Sequence, residues 1–258
     1  MDAMQVNEQQ RSQPGAAVEL VNLARVRKMY GVGFNAVHAL HDIELRICAG
    51  EMVAICGAGG SGKTSLLNLV AMLDVATEGS VVIASLLVSK LSEQARADLR
   101  ADIVGLVFQA SSLIPVMTAH ENVLLPLMLR GRMDDAELEA ARTRADVLLR
   151  QLGLGNQGGH YPPRLDASQC QRVAIARALI ASPRLVVADE PTSRQDAGCI
   201  RLVMDLFARE QQEQGTAFLI STRDQRQLSR ATRTLQLSEG RLTSEQQGTT
   251  RHPLRVER

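Results

Sequence analysis

Met52-Val53-Ala54-Ile55-Cys56-Gly57-Ala58-Gly59-Gly60-Ser61-Gly62-Lys63-Thr64-Ser65 passes from five apolar residues through a glycine-rich turn into the first turn of an apolar-periodic stretch that ends near Leu73. Strand, glycine loop, helix is the context in which G-x-x-x-x-G-K-[ST] binds phosphate, and Gly57 to Thr64 satisfies that pattern. Glycines let successive backbone N–H groups turn inward around an anion, and the helix starting at Lys63 adds the positive end of its dipole. Lys63 is expected between the β- and γ-phosphates, with the Thr64 hydroxyl on Mg²⁺ and Ser65 beside it. Composition alone produces this octet in about one chain per hundred of this length, so a merely flexible glycine turn is the weaker reading.

A second stretch, Leu185-Val186-Val187-Ala188-Asp189-Glu190, has the form of a buried strand ending in two carboxylates. By itself this is a solvated strand end capping the next helix. With a phosphate loop in the same chain, Asp189 is expected to hold the Mg²⁺ shell and Glu190 to polarise the attacking water.

Working outward, the segment between about residues 18 and 88 reads as strands and turns. From about 89 to 157 the periodicity is helical and charged, as in Asp134 to Leu152, where Leu138, Ala141, Ala145, Leu148 and Leu149 can share one face. Helix Gln171 to Ala181, strand Leu185 to Ala188, helix Ala197 to Gln214 and strand Ala217 to Ser221 then alternate. The pattern predicts an α/β fold: a mainly parallel sheet flanked by helices, an antiparallel β part near the N-terminus, and a helical subdomain at about 89–157. Residues 1–17 and 243–258 lack apolar periodicity and read as flexible tails.

With 29 basic and 28 acidic residues the net charge is +1, which provides no footprint for non-specific nucleic-acid binding. Cys48, Cys56, Cys170 and Cys199 lack the close spacing of zinc sites, and no secretory signal precedes them, so reduced thiols are expected. The five histidines show no metal-like spacing. No apolar run approaches the roughly 20 residues needed to span a bilayer. Any membrane role must come through a partner.

The order of these motifs resembles the ATP-binding subunits of ABC transporters, from about residue 18 to 242. The resemblance implies ATP and Mg²⁺ as cofactors, with Tyr30 stacking on adenine and Gln109 touching Mg²⁺ alongside Thr64 and Asp189. Ordinary surface packing remains the alternative for Tyr30. Asp196 is similar to the aspartate of the family's dimer-contacting loop, and Gln171 to Leu179 matches the helix after the family signature. Leu106-Val107-Phe108-Gln109, Leu113-Ile114-Pro115, Thr118 and Glu121-Asn122-Val123 resemble the subgroup serving lipoprotein-release and macrolide-export permeases. The implied partners are a separate transmembrane permease and a second ATP-binding subunit, in a homo- or heterodimer. The implied location is the cytoplasmic side of the inner membrane.

Two positions depart from the family. Its LSGGQ signature here reads Leu165-Asp166-Ala167-Ser168-Gln169. In the family this segment closes on the γ-phosphate held by the opposite subunit. A carboxylate about 4 Å from one phosphate charge costs several kcal/mol at an effective dielectric near 20, so Asp166 is expected to oppose closure. The family's switch histidine, which contacts the γ-phosphate, is replaced by Arg223, which can donate a hydrogen bond but cannot exchange a proton. One reading is a subunit that binds ATP without effective turnover. The other is compensation, with Arg223 of one chain pairing with Asp166 of the second and slow turnover retained.

Overall fold

A computed structural model describes residues 18–247 apart from 32, 34, 35, 194 and 224–229. In chain order the elements are β1 (Glu19–Tyr30), β2 (Val37–Cys48), β3 (Met52–Cys56), α1 (Lys63–Val70), β4 (Glu78–Ile83), β5 (Leu86–Leu87), α2 (Glu93–Ile103), β6 (Val104–Val107) and α3 (Ala119–Leu129). They continue with α4 (Asp135–Gln151), α5 (Ala167–Leu179), β7 (Leu185–Asp189), α6 (Ala197–Gln214), β8 (Ala217–Thr222), β9 (Arg233–Ser238) and β10 (Arg241–Gln247).

Continuous apolar runs form the centre because strands covered on both faces need no alternation. All five residues of β3 and all six of β8 are buried. Their sheet has the order β10-β9-β3-β8-β7-β6, parallel except for the β9–β10 hairpin. Side chains two apart share a face. Met52, Ala54, Cys56, Phe218 and Ile220 accordingly pack with the helical half of the molecule, while Val53, Ile55 and Leu219 pack with α1 and the second sheet. That second sheet is antiparallel, in the order β2-β1-β4-β5. Phe207 of α6 lies against Phe218 with ring centroids 4.8 Å apart, a contact worth about 1 kcal/mol beyond its buried area.

The parallel pairings Cys56↔Thr222, Asp189↔Ser221 and Val107↔Ala188 bring the C-terminal ends of four strands to one edge. The phosphate loop, the two carboxylates and Gln109 all leave the sheet there.

Three expectations change. The helical stretch 89–157 is interrupted by β6, which forms the sheet edge beside β7. Four residues between helices are too few for strand periodicity to show in a sequence window. Its helices α3 and α4 also pack on α5, so the helical half extends beyond 157. Helix α5 starts four residues before the expected Gln171, at Ala167. Residues 243–247 belong to β10 rather than to a tail. Most of β10 is exposed, so it carries no apolar alternation, and its hydrogen bonds to β9 define it. Residues 1–17 and 248–258, expected as tails, lie outside the described residues.

Candidate nucleotide site

Two of the loop glycines are required by the protein's own backbone. A Cβ on Gly57 would lie 2.3 Å from the Leu237 carbonyl oxygen, and one on Gly62 2.5 Å from that of Ala39. Gly62 also has φ +102, a conformation that side chains disfavour. Gly59 and Gly60 face open space instead, leaving room for a bulky anion. Helix α1 has no side-chain cap at Gly62, so its first N–H groups are free for such an anion. Ser61 Oγ is buried without a hydrogen-bond partner. Lys63 Nζ arches back to donate to the carbonyls of Gly57 (2.7 Å) and Ala58 (2.8 Å). Burial pushes the Lys63 ammonium below its ordinary pKa against the upward pull of Glu190, so a stronger anion than these carbonyls would relieve it. Ser65 is half-buried in the first turn of α1.

Thr64 Oγ1 donates to Asp189 Oδ2 at 2.8 Å, and Ser221 Oγ donates to Asp189 Oδ1 at 2.5 Å. The Glu190 N–H donates to Ser221 Oγ at 3.0 Å. Hydroxyl and carboxylate oxygens with the Gln109 amide nearby form the hard-oxygen set that suits Mg²⁺, which commonly keeps several of its waters. The residues therefore fit that ion.

Both carboxylate oxygens of Glu190 are engaged. Arg223 Nε donates to Oε1 at 2.6 Å and Gln109 Nε2 to Oε2 at 3.3 Å. Glu190 is nearly buried while Arg223 is 62 % exposed, so the guanidinium covers the carboxylate from the solvent side. The expected cross-chain partner of Arg223 was Asp166. Within one chain Arg223 holds the candidate base, because β7 and β8 are neighbours and end together.

Asp166 is the N-cap of α5. Its Oδ1 accepts from the Gln169 N–H at 2.7 Å, and Gln169 Oε1 accepts from the Asp166 N–H at 3.0 Å. Ser168 Oγ donates to Gln195 Oε1 at 2.6 Å, and Gln195 Nε2 returns a bond to the Ser168 carbonyl at 3.0 Å. The signature segment is thus tied to the loop before α6, where Asp196 caps that helix through the Cys199 N–H.

Tyr30 ends β1 and is 40 % exposed. Its hydroxyl donates to Asp74 Oδ2 at 3.1 Å, and Lys28 Nζ, bonded to the same carboxylate at 2.6 Å, lies 4.8 Å from the ring centroid. Its hydroxyl and ring contacts are thus with Asp74 and Lys28.

Sequence reasoning missed Ser221 and Gln195. Ser221 had a signal: a hydroxyl in the buried run Phe218-Leu219-Ile220 needs a partner. Gln195 had none, since only the fold brings it to Ser168.

The ABC transporter family model matches residues 40–193, from β2 through the phosphate loop, Gln109, the signature segment and both carboxylates. This chain belongs to the ABC transporter family. The lipoprotein-releasing system ATP-binding protein LolD of Bordetella avium (strain 197N) is 41 % identical over 215 residues, covering 83 % of this chain and 92 % of that protein. The dimeric post-hydrolysis structure of the ATP-binding cassette MJ0796 with ADP and Pi is similar at a TM-score of 0.83 and 36 % identity, over 88 % of this chain and 98 % of that one. cbiO1 from Clostridium perfringens shares the fold, at a TM-score of 0.76 and 24 % identity over 88 % of each chain. The protein is an ABC ATP-binding subunit of the lipoprotein-release group, with a P-loop NTPase core, an antiparallel N-terminal sheet and added helices.

Proposed function

We propose that this ABC subunit binds MgATP between Gly57 and Ser65, hydrolyses it slowly, and works as a dimer with a separate permease on the cytoplasmic side of the inner membrane. One observation carries the reading: Thr64 and Asp189 are bonded to each other at the mouth of the uncapped helix α1, with Glu190 the next residue. The loop N–H groups and Lys63 would bind the phosphates, and Tyr30 would stack on the adenine. Thr64, Asp189 and Gln109 would hold Mg²⁺, which when bound neutralises phosphate charge. Glu190 would accept the proton of the attacking water.

Arg223 supports the slow rate. While it and Gln109 hold the two Glu190 oxygens, these bonds compete with any hydrogen bond from an attacking water. Arg223 would have to transfer to the γ-phosphate before Glu190 could act. The same contact favours the second reading, a regulatory subunit that binds ATP without effective turnover.

The permease reading draws support from the lipoprotein-release relative and from a groove of about 530 Å³ between α2, α3 and β6. Phe108, beside Gln109, lines it together with Ala101, Val104, Leu125 and Leu129. Among the described residues no helix is long and apolar enough to cross a membrane.

The test measures Mg²⁺-dependent ATP binding and phosphate release on the purified chain. Binding lost in Lys63→Ala and release lost in Glu190→Gln are the expected results. Binding by the parent chain without release, with or without the permease, would favour the regulatory reading.

A further inference from the structure

We infer that Ser221 is a positioning residue shared by the magnesium ligand and the base: one buried hydroxyl sets both the rotation of the Asp189 carboxylate and the placement of the Glu190 backbone. The inference rests on the MgATP reading and deepens it.

The parallel register of β7 and β8 pairs Asp189 with Ser221, and Ser221 is completely buried between an apolar run and the Thr222 strand end. The direction of its hydrogen bonds follows from chemistry. The Glu190 peptide N–H can only donate, so Ser221 Oγ accepts it at 3.0 Å. The single hydroxyl proton then goes to Asp189 Oδ1 at 2.5 Å. With Oδ1 fixed, Oδ2 is turned to Thr64, which donates to it at 2.8 Å. Thr64 thereby spends its proton on Asp189 and keeps its lone pairs for a cation.

The second arm acts on the base. Glu190 has φ +46, a left-handed conformation that costs a non-glycine residue about 1–2 kcal/mol and persists only where its surroundings hold it. The Ser221 bond grips the N–H of that residue, while Arg223 and Gln109 grip its carboxylate. Loss of the hydroxyl would leave one oxygen of Asp189 without its partner and release a strained peptide at the same time. Outer partners of metal ligands typically change metal affinity by about 10–100-fold.

The experiment titrates Mn²⁺ into the ATP-loaded full chain and reads bound metal by electron paramagnetic resonance, which needs no turnover. ATP affinity in EDTA is measured in parallel. In Ser221→Ala the half-saturating Mn²⁺ concentration is expected to rise about tenfold, with ATP affinity in EDTA unchanged, and Ser221→Thr is expected to restore it. A parent-like Mn²⁺ titration in Ser221→Ala would overturn the inference, as would a Thr variant that behaves like Ala. Loss of ATP affinity in EDTA by Ser221→Ala would overturn it too, assigning the hydroxyl to general stability. A parent chain that binds no ATP in either condition would break the MgATP reading and the inference together.

Discussion

Helices α1 and α5 both begin at loops that the family resemblance turns toward nucleotide, yet their N-termini are finished in opposite ways. Every helix start exposes unsatisfied N–H groups and the positive end of a dipole, and an anion there is stabilising. At α1 no side chain caps the end: Gly62 precedes it and Ser61 Oγ has no partner. At α5 the protein supplies its own anion. Asp166 and Gln169 close a reciprocal capping box, and Ser168 is bonded to Gln195. One end is built to receive a phosphate, while the other is already satisfied. From the sequence, Asp166 is a charge that either opposes a partner's phosphate or pairs with the partner's Arg223, and the structure adds that this side chain caps the chain's own helix.

The largest break in this comparison is expected at α1. Lys63→Ala removes an ammonium that can make two charge-assisted bonds to phosphate, together worth about 3 kcal/mol, so ATP affinity should fall about a hundredfold. Asp166→Ala should leave ATP affinity of the isolated chain unchanged. Isothermal titration of both variants checks the contrast, and equal losses would show that the two helix ends are not distinct.

Asp166→Ser tests the satisfied end next. Serine is also a good N-cap, so α5 should keep its start while the carboxylate disappears. Removing a charge that costs several kcal/mol near a phosphate should strengthen ATP-dependent dimerisation more than tenfold, as read by sedimentation with Glu190→Gln present in both chains to retain ATP. An unchanged association constant would mean that the capping box already neutralises Asp166 toward a partner.

Arg223→Gln is expected to have a smaller effect. The guanidinium is mostly exposed, so its hold on Glu190 is screened and worth about 1 kcal/mol. Freeing the base should raise phosphate release about fivefold at saturating MgATP. A fall in rate instead would show that Arg223 serves the γ-phosphate more than it restrains the base.

The two helix starts also show what a sequence can reveal about a site. The phosphate loop was legible because its chemistry is local: strand, glycines, lysine and helix follow within fourteen residues. Asp189 and Glu190 were legible only through that loop, since a phosphate site in the same chain gives a strand end with two acids a use. The Arg223–Glu190 and Ser168–Gln195 pairs join residues 33 and 27 positions apart, and only strand order and helix packing bring them together. The start of α5 lies between these cases. Asp166-x-x-Gln169 is a capping-box pattern, but it stands where the family has its signature, and its departures from that signature took the reading. A local signal was present and a stronger analogy covered it.

The smallest expected effect separates the cap from the charge. Asp166→Ala removes both the capping bond and the carboxylate, whereas Asp166→Ser removes the carboxylate alone. An N-cap replaced by alanine costs about 1 kcal/mol, which for a domain of this size lowers Tm by about 2–4 °C. The serine variant should melt within about 1 °C of the parent, since the two residues cap about equally well. Calorimetry on the nucleotide-free chain checks both. If alanine and serine melt alike and below the parent, the carboxylate itself stabilises α5 through the dipole, and restoring a serine at this position would strengthen ATP closure only at a cost in fold stability. If only alanine melts early, the hydrogen bond does the capping, and the negative charge of Asp166 is then left with an effect on the partner's nucleotide and none on its own helix.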